Sequence, residues 1–78
     1  MSGGRLPVVN AKKVIRALER AGFVVDRIAG SHHVLTHPGN PSRTVTVPFH
    51  PGRDLKPGTI RAIIKQAGFS VEAFTELL

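Results

Sequence analysis

Cysteine, tryptophan and tyrosine are all absent from this chain of 78 residues. The lack of cysteine excludes disulfide bonds and thiolate metal sites, and it agrees with a cytoplasmic location, which we predict. Apart from histidine, the only aromatic side chains are four phenylalanines. They are too few to form the stacking platform on which RRM and OB domains bind single-stranded bases. The composition therefore argues against both of those RNA-binding classes.

Long apolar runs are missing as well. No stretch of the sequence approaches the roughly 20 apolar residues that are needed to cross a bilayer. Residues 1–4 also lack the apolar centre of a signal peptide. We therefore predict no membrane association. The length of 78 residues predicts one domain over residues 1–78, with residues 1–6 disordered.

Acidic residues are scarce, because 11 Lys and Arg stand against 5 Asp and Glu and give a formal net charge of +6. Such an excess indicates a polyanionic partner, either a nucleic acid or an acidic protein. All basic residues lie between Arg5 and Lys65, and the segment that follows carries only Glu72 and Glu76. The positive charge therefore belongs to the body of the domain and not to its C-terminal segment.

A first amphipathic helix is predicted from Asn10 through Ala21. Asn10 is a favourable N-cap residue, and Gly22 supplies the C-terminal stop. Apolar residues recur at helical spacing and form one stripe, made of Ala11, Val14, Ile15 and Leu18. A basic row at i, i+4 and i+8 is a candidate RNA-binding surface, made of Lys12, Arg16 and Arg20. The alternative for this row is an ordinary solvated helix face.

A second helix is predicted to begin at Pro57, which suits a first helical turn, and to end at Gly68. Its apolar positions are Ile60, Ile63, Ile64 and Ala67. Arg61 and Lys65 lie one helical turn apart on the exposed side and are further RNA-binding candidates. Ser70 is predicted to cap a short acidic helix that packs back onto the domain.

Three strands are predicted between the first two helices, at residues 23–28, 32–36 and 43–47. Gly30 and Ser31 form the first turn, and the Pro- and Gly-rich residues 38–42 form the second. These short connections favour an antiparallel meander. The predicted fold class is therefore α+β, with a three-stranded antiparallel sheet and helices on one face. The order α-β-β-β-α plus a short C-terminal helix follows the general plan of a double-stranded-RNA-binding domain.

The four histidines, His32, His33, His37 and His50, raise the question of a metal site. Adjacent strand residues point to opposite faces, so His32 and His33 do not chelate one ion from a regular strand. His33 and His37 share a face but lie about 13 Å apart at ~3.3 Å per residue. Zinc ligands lie ~2 Å from the ion, so this spacing is too long. We predict neither a metal nor a cofactor, and we predict that His33 and His37 face solvent.

His32 is a candidate catalytic residue because it directly follows a tight turn in a basic chain. The alternative, which the local sequence alone favours, is a hairpin turn with two surface histidines. Metal-free RNA cleavage needs a base for the ribose 2′-hydroxyl, an acid for the leaving oxygen, and cations around the phosphate. Histidine can fill either proton role near neutral pH. His50 is a candidate second acid or base, or an RNA-binding residue. Strand alternation places His32 with Val34 but leaves open whether that face is the core side. Two strand residues are further RNA-binding candidates, Arg27 and Arg43.

Five short motifs occur in order along the chain: AGF at residues 21–23, GSHH at 30–33, VPFHPG at 47–52, LKPGT at 55–59 and IKQAG at 64–68. In this combination the sequence resembles the HicA toxins of bacterial type II toxin–antitoxin modules, also called YcfA-like proteins. The resemblance runs from about residue 7 to residue 74. One position departs from it, because Phe49 stands where the family often has a basic residue.

The resemblance implies a small RNA-binding fold with endoribonuclease activity on mRNA, which arrests translation and growth. It also implies inhibition by a cognate HicB antitoxin, so we expect a monomer alone and a hetero-oligomer with the antitoxin. The key histidine of the family follows Gly-Ser, which corresponds to His32. The glycine after the first helix corresponds to Gly22. Ser31 belongs to the same motif and is, like Gly22, a candidate for catalysis or RNA binding.

Two other functions remain open from the sequence. The first is a non-catalytic double-stranded-RNA-binding module whose basic helix faces contact backbone phosphates. The second is a protein-interaction domain for an acidic partner. A folded variant without His32 distinguishes the ribonuclease from both, and a strong salt dependence of RNA binding identifies the module.

Overall fold

Asn10 begins the first helix as predicted, because its side-chain oxygen accepts a hydrogen bond of 3.0 Å from the Lys13 amide. The computed structural model describes residues 5–78. Its elements follow in the order α1 (Ala11–Arg20), β1 (Val24–Ala29), β2 (His32–His37), β3 (Asn40–Pro48), α2 (Pro57–Ala67) and α3 (Val71–Leu77). The sheet is antiparallel with strand order β1-β2-β3. The predicted α+β class and element order are confirmed.

The second turn is shorter than predicted. The prediction that residues 38–42 form a turn is wrong, because β3 begins at Asn40 and only Pro38 and Gly39 connect the strands. His37 pairs with Asn40 after a register shift. The side chain of His37 accepts a 3.0 Å hydrogen bond from the Gly39 amide and so holds the turn. Pro41 is tolerated because β3 is an edge strand.

One face of the sheet carries the core. Leu35, Val45 and Val47 are completely buried there. The apolar stripes of α1 and α2 pack on this face, and Phe74 from α3 is also completely buried. All three helices therefore contribute to the same apolar layer, and the helices lie on one face of the sheet as predicted.

His37 is part of this inner layer, and the prediction that it faces solvent is wrong. Its Nε2 lies 3.2 Å from the Ala21 carbonyl oxygen, while its Nδ1 accepts the Gly39 amide bond. These partners assign the proton to Nε2, because a carbonyl oxygen can only accept and an amide can only donate. The ring also meets Phe23 edge to face at 5.1 Å. His37 thus joins the β2–β3 turn to the end of α1.

Gly22 lies against that histidine. Its φ of +99° is a conformation that L-residues rarely adopt. A Cβ at this position would stand 2.8 Å from His37 Nε2. Both the backbone angle and the close approach therefore require glycine here, at the connection between α1 and β1.

The strand β1 is an edge of the sheet, and all six of its residues are exposed. Its apolar members are Val24, Val25 and Ile28, which are 48%, 37% and 60% exposed. The register shifts between Val25 and Arg27, so Asp26 is the extra residue of a β-bulge. β1 therefore presents both an open backbone edge and apolar side chains.

The N-terminal segment that was predicted to be disordered is described only from Arg5 onwards, and residues 1–4 lie outside the described residues. Leu6 is partly buried and packs against the core. In residues 5–78, every helix is too short or too polar to cross a membrane.

Gly22→Ala is expected to lower the free energy of unfolding by about 1–3 kcal/mol, because alanine is strained at this φ and its methyl group meets His37. Gly30→Ala is the matched control, since Gly30 has φ +59° and no atom lies within 4 Å of the added Cβ. That variant should lose about 1 kcal/mol. Urea denaturation measures both values. Equal losses would show that the contact with His37 has no energetic consequence.

Candidate functional site

The candidate site is built around the first turn of the sheet. Gly30 has φ +59° and forms the two-residue connection between β1 and β2 together with Ser31. The Phe49 amide donates a 2.6 Å hydrogen bond to the Ser31 carbonyl oxygen, and His32 pairs with Pro48. The segment that follows β3 is therefore fixed beside the turn that precedes His32.

His32 lies on the outer face of the sheet, away from the helices. Leu35 marks the inner face, and side chains alternate along β2, so His33 points inward and His32 points outward. The His32 imidazole is exposed and has no hydrogen-bond or ion-pair partner within residues 5–78. Its ring nitrogens are therefore accessible to a bound molecule.

His33 has a packing role, and the prediction that it faces solvent is wrong. Its ring stacks on Phe49 with centroids 4.8 Å apart and an angle of 26° between the planes. Its Nδ1 is buried and has no partner within the described part of the chain. Phe49 stands where the family that the sequence resembles often has a basic residue. Here it anchors the loop after β3 to the inner face of the sheet. This contact fixes the start of the segment that carries His50.

His50 and two basic residues line a cleft between the end of β3 and the start of α2. The cleft has a volume of about 320 Å³, and its lining residues are Pro48, His50, Arg53, Asp54, Leu55, Lys56 and Thr59. The side chains of Arg53 and Lys56 are exposed and make no ion pair within residues 5–78. Neither residue was among the predicted site residues. The signal in the sequence that could have indicated them is that both lie in the same Pro- and Gly-rich loop as His50.

A second cleft lies on the other side of His50, at the start of α1. It has a volume of about 270 Å³, and its lining residues are Asn10, Ala11, Lys12, Phe49, His50, Pro51 and Gly52. The N-termini of α1 and α2 therefore lie at the same end of the sheet as His32. Neither helix has an acidic residue in its first turn. The positive ends of two helix dipoles add to the charges of the basic residues here.

The predicted basic row on α1 is divided by the fold. Lys12 faces the His50 loop. Arg16 and Arg20 instead line a separate cleft of about 210 Å³ with Val9, Lys13 and Leu78. Arg20 also donates a 2.7 Å hydrogen bond to the Leu77 carbonyl oxygen at the end of α3. Arg20 therefore fastens the C-terminal helix.

The remaining predicted residues are distributed over several other parts of the domain. Gly22 contacts His37, at the opposite end of β2 and about 16 Å away at ~3.3 Å per residue. Arg43 donates a 3.2 Å hydrogen bond to the Gln66 carbonyl oxygen near the end of α2. Arg27 pairs with Val34 and shares the outer face with His32. The predicted residues Arg61 and Lys65 are both exposed on α2.

Three of the predicted residues, Ser31, His50 and Lys12, are thus brought by the fold to the same end as His32. Within residues 5–78, no three side chains among His, Asp and Glu are placed to share one metal ion. The arrangement offers an accessible imidazole on the outer face of the sheet and unpaired cations in the adjoining loop. Such a combination can exchange a proton with a polyanionic ligand and stabilise the negative charge of that ligand.

Comparison with known families gives one match. A family model described as "HicA toxin of bacterial toxin-antitoxin" matches residues 11–69. The match begins with α1, ends after α2, and includes the turn at His32 and the loop at His50. No curated protein matches the chain.

His32 and His37 should differ in their effect on stability. His32→Ala is expected to change the free energy of unfolding by less than about 0.5 kcal/mol, because the side chain is exposed and unpaired. His37→Ala should lose about 1–2 kcal/mol with the hydrogen bonds to Ala21 and Gly39. Chemical denaturation of both variants tests this. A large loss for His32→Ala would contradict the exposed position of its ring.

Proposed function

Because the chain belongs to the HicA toxin family and is therefore a toxin of a toxin–antitoxin system, we propose that it is a metal-independent endoribonuclease that cleaves mRNA. Cleavage of mRNA arrests translation and growth. The observation that supports this proposal is the exposed, unpaired imidazole of His32 beside a loop that carries unpaired cations.

In the proposed reaction, the ribose 2′-hydroxyl attacks the neighbouring phosphorus and the bond to the 5′-oxygen breaks. His32 removes the proton of the 2′-hydroxyl or supplies the proton that the leaving oxygen needs. The other proton transfer falls to a second group, for which His50 at the same end of the sheet is the candidate. The products are a 2′,3′-cyclic phosphate and a 5′-hydroxyl, which together contain all atoms of the substrate.

The positive field of this end of the molecule serves the same reaction. Charge develops on the phosphoryl oxygens as the 2′-oxygen attacks, and nearby cations stabilise it. Lys12, Arg53 and Lys56 are exposed on the clefts that flank His50. Among residues 5–78, Asp54 is the one carboxylate that lines either of these clefts. The local charge therefore favours a phosphate ligand.

A non-catalytic double-stranded-RNA-binding module is the second candidate. The observation that favours it is the exposed pair Arg61 and Lys65 on α2, which leaves a basic helix face open to backbone phosphates. In that case RNA is bound at the helices and survives intact. The ribonuclease and the module thus differ in whether His32 is needed.

His32→Ala is expected to reduce RNA cleavage by about 10²–10⁴-fold, because one proton transfer loses its catalyst. The measurement is cleavage of mRNA by purified protein in the presence of a metal chelator, together with growth arrest on induction. His37→Ala is the control for the loss of an imidazole from β2, because His37 lies at the opposite end of this strand from His32. A folded His32→Ala protein that cleaves at the original rate would refute the proposed chemistry.

Membership of the family also implies a cognate antitoxin as partner. We propose a HicB-type protein that binds the native toxin and covers the His32 end. The exposed edge of β1, with Val24, Val25 and Ile28, can accept an added strand. An acidic partner would also be drawn by the net charge of +6.

Amide hydrogen exchange, measured with and without the antitoxin, tests this mode of inhibition. Protection is expected along β2 from His32 to Thr36, at the start of α2 near Pro57, and along the open edge of β1 where the added strand would pair. An interface of ~800 Å² per partner would cover much of one side of so small a domain. Protection confined to residues 70–78, with the His32 end unchanged, would exclude inhibition by occlusion.

A further inference from the structure

In the cleft between β3 and α2, basic side chains outnumber acidic ones. His50, Arg53 and Lys56 all line it, and Asp54 is the one carboxylate that the described part of the chain places in its wall. No side chain within residues 5–78 forms an ion pair with Arg53 or Lys56. Long basic side chains that line a concave surface without a protein partner are available for an anionic ligand.

The cleft is also close to His32. Pro48 lines the cleft and pairs directly with His32 across β2 and β3. Residues that pair in this way have Cα atoms about 4.5–5.5 Å apart. The hydrogen bond from the Phe49 amide to Ser31 holds the two segments in this arrangement. A chain of nucleotides whose reacting group lies at His32 can therefore extend directly into the cleft.

The volume of the cleft limits the size of the ligand that can bind in it. About 320 Å³ is close to the lower limit of ~300 Å³ for pockets that hold small ligands. The space suits one phosphate with part of its ribose better than a stacked base, because Pro48 and Leu55 are the only apolar residues that residues 5–78 contribute to the lining. The chemistry of the walls thus selects the backbone of the nucleic acid and not the edges of its bases.

We propose that this cleft is a phosphate subsite, in which Arg53 and Lys56 bind the RNA backbone phosphate next to the one that reacts at His32. The inference rests on the proposed function, since it takes RNA as the ligand. His50 lines both this subsite and the cleft that contains Lys12. The subsite determines where along the strand the reacting bond is placed, independently of the base sequence.

The first test compares two double variants of the full chain. Arg53→Ala/Lys56→Ala removes the cations of the cleft, and Arg61→Ala/Lys65→Ala removes the same charge from the exposed face of α2. Each is titrated with a single-stranded oligonucleotide that carries 2′-O-methyl groups and is not cleaved. The cleft variant should bind about tenfold or more weakly. Its slope of log K against log salt should fall by about 0.7 for each lost phosphate contact.

The control should lose clearly less affinity than the cleft variant. Equal losses in both variants would show that only the net charge matters, and the subsite would be refuted. Thermal unfolding of each protein confirms that the exposed substitutions leave the fold intact. Because the oligonucleotide is not cleaved, the result is readable even if the chain proves to have no ribonuclease activity.

A second test locates the phosphate. Single neutral methylphosphonates are introduced at successive positions of the same oligonucleotide. One position should weaken binding to the unaltered protein by about tenfold, and the same substitution should have little effect on Arg53→Ala/Lys56→Ala. A uniform effect at every position in both proteins would overturn the proposal. So would a cleft variant that binds RNA normally and loses only the antitoxin, since the cleft would then be a protein-binding site.

Discussion

The burial of one apolar sheet face is the constraint on which the rest of this small domain depends. Leu35, Val45 and Val47 have no contact with solvent, and all three helices contribute to the layer that covers them. A chain of 78 residues has few other apolar groups with which to cover the second face. That face therefore stays open, and the side chains on it are available for recognition and chemistry instead of packing.

The alternation of side chains along β2 then determines on which face of the sheet each of its three histidines lies. His33 and His37 fall on the covered face, where one stacks on Phe49 and the other closes a turn through two hydrogen bonds. His32, one residue away from His33, falls on the open face without a partner in residues 5–78. A shift of one residue in the register of β2 would exchange these roles. The position of His32, the proposed catalytic residue, is thus specified by the core, although its side chain does not belong to it.

Much of the fold could be predicted from the sequence because its signals are local. The Asn10 cap, the glycine after α1, the apolar stripes and the Gly-Ser turn each act within a few residues. The extent of the second turn was not predictable, because it depends on the His37 side chain and on the tolerance of an edge strand for proline. The cleft cations were missed because a hydrogen bond between Phe49 and Ser31, distant in sequence, brings their loop beside His32. The basic row of α1 was divided by the packing of α3, which helical spacing alone does not reveal.

The β-bulge in β1 has a consequence for the chain when it is alone. An exposed edge strand with apolar side chains is a template on which copies of a protein can stack and aggregate. The bulge at Asp26 interrupts the regular spacing of the edge, and Asp26 and Arg27 place opposite charges between the apolar positions Val25 and Ile28. A second copy of the chain meets an irregular edge there. The bulged edge is therefore a poorer template for self-aggregation than a regular edge strand would be.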